Sequence, residues 1–85
     1  MSDAAPTVRF LTKPGCHLCD DARPVLEAEL AASGRAPTSY AEVDITTDDE
    51  LYARFWTDIP VVLVDDEVIA IHRLPPGVLA SRLRP

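Results

Sequence analysis

Cysteine is scarce in this chain: there are two among 85 residues, Cys16 and Cys19. A secreted domain of this size that leaned on disulfides in place of a core normally carries more, so a disulfide scaffold is excluded. Positive charge is scarce as well. Eight Lys and Arg stand against fourteen Asp and Glu, a net charge of −6. That sign repels a phosphate backbone, so nucleic acid is not an expected partner. No apolar run approaches the ~18 residues that span a bilayer, so no membrane partner is expected. The first six residues lack a basic region followed by an apolar stretch. A secretory signal is therefore not expected, and a cytoplasmic location is. What is present is an ordinary globular balance, 47% apolar and 26% charged, which argues against disorder. Residues 1–6 read as an N-terminal tail and 7–84 as a single small domain, near the lower end of what folds alone.

Hydrophobic patterning predicts the elements. Residues 7–12 read as a strand, broken by Lys13-Pro14-Gly15. A helix is expected from His17 to about Ser33. Leu18, Ala22, Val25, Leu26 and Leu30 share one of its faces, Asp20 and Asp21 sit in its first turn, and Gly34 stops it. Pro24 lies inside and predicts a kink. Residues 38–45 read as a second strand with Ala41, Val43 and Ile45 on one face. Thr47-Asp48-Asp49-Glu50 has the form of a capping box opening a short helix to about Phe55. Trp56 reads as a partly buried loop anchor. Val61–Val64 is a continuous apolar run, expected for a strand covered on both faces. Asp65-Asp66-Glu67 reads as a tight turn, Val68–Ile71 as the returning hairpin strand, and Pro76 suits the first turn of a last helix. The order β-α-β-α-β-β-α predicts an α/β fold with a four-stranded mixed sheet covered by helices. Its first two strands are parallel and its last two antiparallel.

The two cysteines are separated by two residues, a spacing that only about 2% of random placements would give. They fall where the first strand turns into the first helix. One helical turn brings the sulfurs within reach of a disulfide. Cys16 meets the unpaired N–H groups and positive dipole end of the helix. Such positions lower a thiol from ~8.5 to somewhere between ~3.5 and 7.5. Cys16 therefore reads as the attacking thiolate and Cys19 as the resolving thiol of a disulfide exchange. Lys13 and His17 favour the thiolate; Asp20 and Asp21, equally close in sequence, oppose it, and both pairs stand. Two buried structural cysteines are the plainer reading, disfavoured by the helix-entrance position. No metal is expected, since one such pair supplies two of the four ligands of a closed zinc site, and His72 reads as an exposed residue after a strand. Ile59-Pro60 opens the third strand. A proline there is either trans at a sheet edge or, beside such a cysteine pair, cis and facing the sulfurs. In the second case the Ile59 backbone is free to pair with an extended substrate.

From Thr12 to Cys19 the chain resembles the active-site segment of the glutaredoxin-like branch of the thioredoxin superfamily, including a Lys three residues before the first Cys. Pro24 is similar to the kinking proline of thioredoxin-type helices, Val43-Asp44-Ile45 to the second strand, and Ile59-Pro60-Val61-Val62 to the cis-proline strand. More narrowly, the chain resembles small glutaredoxin-like proteins formerly classed as a domain of unknown function. The resemblance covers about residues 7–84. It implies a thioredoxin-like fold and dithiol–disulfide exchange, with Cys16 nucleophilic and Cys19 resolving. Lys13 and the Ile59 backbone are then contacts for a glutathione carboxylate and backbone. His17-Leu18 stands where glutaredoxins usually have Pro-Tyr. The family's Gly-Gly turn and following acidic residue, which hold the glutathione amino end, are replaced in the region of Ala70-Ile71-His72-Arg73. A single-cysteine iron–sulfur glutaredoxin is disfavoured, because Cys19 is present.

The protein is thus expected to be a thiol–disulfide oxidoreductase acting on protein disulfides or glutathione mixed disulfides, with no bound cofactor and glutathione as a candidate reductant. It is expected to act as a monomer, with Cys16 and Cys19 catalytic and Lys13, His17, Leu18, Ile59 and Pro60 lining the substrate site. The alternative is a redox-inactive or redox-sensing thioredoxin-fold module that binds a partner protein.

Overall fold

A computed structural model describes residues 6–84. The expected N-terminal tail, apart from Pro6, lies outside the described residues, as does Pro85. The elements in chain order are β1 (Val8–Thr12), α1 (His17–Ala32), β2 (Ala41–Asp44), α2 (Asp49–Phe55), β3 (Val61–Val64), β4 (Glu67–Ile71) and α3 (Val78–Leu83). A single turn of 3-10 helix, Ile45–Thr47, joins β2 to α2. The sheet order is β2-β1-β3-β4. β2 runs parallel to β1, whereas β3 is antiparallel to both β1 and β4. Central β3 is buried at all four positions, as its unbroken apolar run requires.

Along α1 the inward face is Cys19, Ala22, Leu26, Glu29 and Leu30. These positions recur at helical spacing and join one core with Phe10, Leu11, Ile45, Leu79 and the valines of β3. Two predicted members of that face differ: Leu18 is 52% exposed and Val25 only half-buried. The buried stripe is set one residue on from Leu18, so the sulfur of Cys19 takes the inward position. Pro24 does not break the helix, which runs on to Ala32.

Several local expectations are corrected. The second strand is shorter than 38–45, because Thr38 and Ser39 lie in a turn region where Ser39 Oγ donates to Ala36 O at 2.6 Å. Ala41 is exposed, Val43 half-buried and Ile45 buried. The N-cap of α2 is Asp48, whose carboxylate accepts from Leu51 N at 3.0 Å. Thr47 instead donates its hydroxyl to Asp44 O at 2.7 Å, so no capping box forms. The β3–β4 turn has two residues, Asp65 and Asp66, with φ of 50° and 67°. Glu67 already pairs with Val64. Short polar side chains tolerate this left-handed geometry, which matches the strand twist.

The last helix begins at Val78, later than Pro76 suggests. Its cap is Gly77, at φ +91°, a conformation that side chains rarely adopt. No side chain of its own segment caps it. Glu29 of α1, only 9% exposed, supplies that acceptor. Its carboxylate takes hydrogen bonds from Gly77 N and, at 2.9 Å, from Ala80 N. A buried carboxylate is tolerated here because the orphan N–H groups of a helix start satisfy it. Among the described residues, no helix is long and apolar enough to cross a membrane.

Candidate active site

The turn from β1 into α1 builds the site. Gly15 takes φ +71°, and a Cβ added there would meet nothing within 4 Å. Its freedom therefore serves backbone direction and not close packing. The next residue, Cys16, is the N-cap of α1 with extended backbone angles. Its Sγ accepts from Cys19 N at 3.1 Å, in the place an oxygen would take at an ordinary N-cap. Cys16 and Cys19 are joined as a disulfide, with Cα atoms 5.2 Å apart. The two sulfurs differ in access: Cys16 is half-buried at the surface, and Cys19 is 1% exposed.

Beside Cys16 lies an open groove of about 630 Å³, lined by Lys13, Cys16, His17, Leu18, Trp56, Thr57, Ile59 and His72. The structure thus brings together four of the five residues expected at a substrate site. Pro60, the fifth, is fully buried behind Ile59. The Ile59–Pro60 peptide is cis. No backbone hydrogen bond is made by Ile59 N–H or C=O among the described residues, which leaves both available to an extended chain. Lys13 is exposed and in no ion pair among the described residues. Trp56 is 55% exposed and stacks on Tyr52 at 6.5 Å; it forms a groove wall instead of the loop anchor expected.

The sequence marks His72 only as an exposed residue after a strand. It is exposed, but it sits at φ +69° and is bound to the opposite loop. Its backbone N–H donates to Asp58 O at 3.0 Å and Pro60 O at 2.8 Å. Its Nε2 lies 2.8 Å from Thr57 O, and since a carbonyl only accepts, Nε2 carries the proton. His72 therefore ties the loop carrying Ile59 to the end of β4. No sequence signal marks a histidine for left-handed geometry.

A second cavity of about 290 Å³ shares Lys13 and Cys16 with the groove and extends along Asp20, Arg23, Glu42 and Asp44. Arg23 Nε and Nη2 grip both carboxylate oxygens of Glu42, at 2.9 and 2.7 Å, while Nη1 holds Asp20 at 2.9 Å. The guanidinium also lies over the Phe10 ring, 5.7 Å from its centroid. The hydrogen bond from Arg23 holds the Glu42 carboxyl below the usual carboxylate range. Arg23 is in turn pushed above its ordinary value, by Glu42 first and Asp20 second. Nearby, burial first and then the hydrogen bond to Glu27 push the Tyr40 phenol up to about 12. Neither Arg23 nor Glu42 stands out in the sequence, because they are 19 residues apart. No group of three or more His, Cys, Asp or Glu among the described residues is placed to hold a metal ion.

The chain is 30% identical to a curated glutaredoxin-like protein of Dictyostelium discoideum over 71 residues, 79% of this chain and 65% of that protein. It thus spans about 65% of that relative's length. A solution NMR structure of a Nitrosomonas europaea protein superposes with a TM-score of 0.79 at 17% identity, covering 99% of this chain and 98% of that one. The likeness establishes a thioredoxin-like arrangement of the four strands and their helices. A family model described as glutaredoxin-like domain (DUF836) matches residues 7–84, so the chain belongs to the glutaredoxin-like family of the thioredoxin superfamily.

Proposed function

We propose that the protein is a dithiol–disulfide oxidoreductase that reduces protein disulfides or glutathione mixed disulfides. The observation that carries this reading is the asymmetry of the Cys16–Cys19 pair. One sulfur caps a helix at the edge of a groove, and the other is buried one turn behind it. In the reduced protein the Cys16 thiolate attacks one sulfur of a substrate disulfide. The other substrate sulfur leaves as a thiolate and takes a proton from water, and a Cys16 mixed disulfide remains. Cys19, deprotonated, then attacks Cys16 Sγ and expels the second substrate thiolate. Two electrons have passed to the substrate, and the Cys16–Cys19 disulfide is the product. Two glutathione molecules, leaving as glutathione disulfide, return the protein to the dithiol.

The groove supports the same reading. Lys13 offers a cation for a substrate carboxylate, and Ile59 offers a free backbone N–H and C=O for strand pairing. Leu18 and Trp56 offer exposed apolar walls. Ala70-Ile71-His72-Arg73, of which His72 lines the groove, occupies the region where the glutaredoxin pattern has a Gly-Gly turn and an acidic residue. A peptide or protein disulfide therefore suits the groove better than the γ-glutamyl end of glutathione. The test is turnover of a protein disulfide and of a cysteine–glutathione mixed disulfide, with glutathione as reductant. Catalysis of either above the uncatalysed exchange, faster with the protein disulfide, is expected. No turnover of either, together with a Cys16 thiol of ordinary acidity, would leave a thioredoxin-fold binding module.

A further inference from the structure

We infer that Arg23 is a positioning residue for the redox site: held between Asp20 and Glu42, its single positive charge offsets one of their two negative charges in the cavity they share with Cys16, and so favours the ionised form of that thiol. The inference rests on Cys16 being the attacking thiol.

Asp20 lies one turn into α1 from its N-cap Cys16, and its backbone N–H donates to Cys16 O at 3.1 Å. Both line the same small cavity, with Arg23, Glu42, Asp44 and Lys13. The charged and titratable groups that share a cavity with Cys16 are Lys13 from the entrance loop, His17, Asp20 and Arg23 from α1, Glu42 and Asp44 from β2, and His72 across the groove. Three carboxylates line the same cavity as Cys16. Asp44 is engaged with Thr46 N and Oγ1 at 2.9 and 2.6 Å. Arg23 holds the other two at once, with a bidentate grip on Glu42. Asp21, by contrast, lines a different pocket, which shares Leu18 and His72 with the groove but does not include Cys16. The competition left open by the sequence, Lys13 and His17 against Asp20 and Asp21, thus has a third party. Asp21 does not line the cavity that Cys16 and Asp20 share, and Asp20 is paired with Arg23.

Loss of the Arg23 charge leaves Asp20 and Glu42 unpaired on the cavity wall. Across a partly solvated cavity of this size, one elementary charge moves a neighbouring thiol by roughly half to one pKa unit. The thiolate population below that pKa then changes about three- to tenfold.

The test is titration of Cys16 in a Cys19→Ser background, followed by ultraviolet thiolate absorbance against pH. Arg23→Gln is expected to raise the Cys16 pKa by about half to one unit, and Asp20→Asn to lower it by a similar amount. The double substitution returns it near its starting value. Arg23→Lys, which keeps the charge but not the fork, stays close to the unsubstituted protein. Added salt shrinks each shift. An unchanged pKa in Arg23→Gln overturns the inference, as does an Arg23→Lys shift as large as that of Arg23→Gln. If Arg23→Gln fails to fold, an unchanged pKa in the exposed Asp20→Asn variant overturns it equally. The titration needs no substrate. Shifts of the expected sign in a protein without turnover uphold the charge effect and refute only the oxidoreductase reading.

Discussion

Cys19→Ser, challenged with a disulfide substrate, stops at a mixed disulfide held on Cys16, while Cys16→Ser forms no such adduct and loses turnover by about a thousandfold or more. The asymmetry follows from access. Cys19 is 1% exposed and lies behind Cys16, so an external disulfide cannot approach it in line. Cys16 lies at the groove with its Sγ at the helix N-terminus, where orphan N–H groups favour the anion. Removing the buried thiol leaves the first attack intact and deletes the second, so the intermediate accumulates. Removing the surface thiol deletes the first step, and the buried one cannot substitute for it. Mass spectrometry of the unreduced protein, with the modified cysteine located by peptide mapping, checks both outcomes. A mixed disulfide on Cys19 in the Cys16→Ser protein reverses the roles.

Glu29→Ala is expected to destabilise the fold by about 2–4 kcal/mol. Glu29 lies near the C-terminal end of α1, whereas the cysteines lie at its start. The cost of the substitution arises at α3, where Gly77 N and Ala80 N lose their acceptor. Each of these part-buried N–H groups gives up a hydrogen bond to a charged acceptor, a kind of bond that contributes about 1.5–3 kcal/mol, less where water can replace it, and α3 has no side-chain cap of its own to replace Glu29. For a domain whose net stability is on the order of 5–10 kcal/mol, that is a large fraction. Glu29→Gln, which keeps one carbonyl acceptor, should lose about half as much. Urea unfolding of the oxidised protein measures both. The α3 helix carries the fully buried Leu79 into the core, so its release should also lower the cooperativity of unfolding.

What is legible in the sequence is what is local. The Cys16–Cys19 pair, the buried strand Val61–Val64 and the cis proline after Ile59 are each marked within a few residues, and the element order follows from local apolar patterning. What is not legible joins distant parts of the chain. Glu29 looks like one more surface carboxylate of a helix until α3, 48 residues on, brings its N–H groups to it. Arg23 and Glu42 come together only when β2 lies beside β1. The cap of α2 falls to Asp48 and not to the adjacent Thr47 that the capping-box pattern favours. Both side chains are chemically competent, and the preceding 3-10 turn claims Thr47. Trp56 suggests an anchor because large aromatic residues usually bury. Its exposure follows from its place at the end of a seven-residue helix whose inward residue is Phe55.

The proposed role of Cys16 as the ionised, attacking thiol of the pair is tested most directly by reducing the protein and alkylating it with a limiting amount of iodoacetamide at about pH 6, then locating the label. Label is expected on Cys16 alone. The expected rate is about tenfold above that of a free cysteine, after allowing for the weaker nucleophilicity of a low-pKa thiolate. Label on Cys19, or a Cys16 rate no faster than free cysteine, would contradict it.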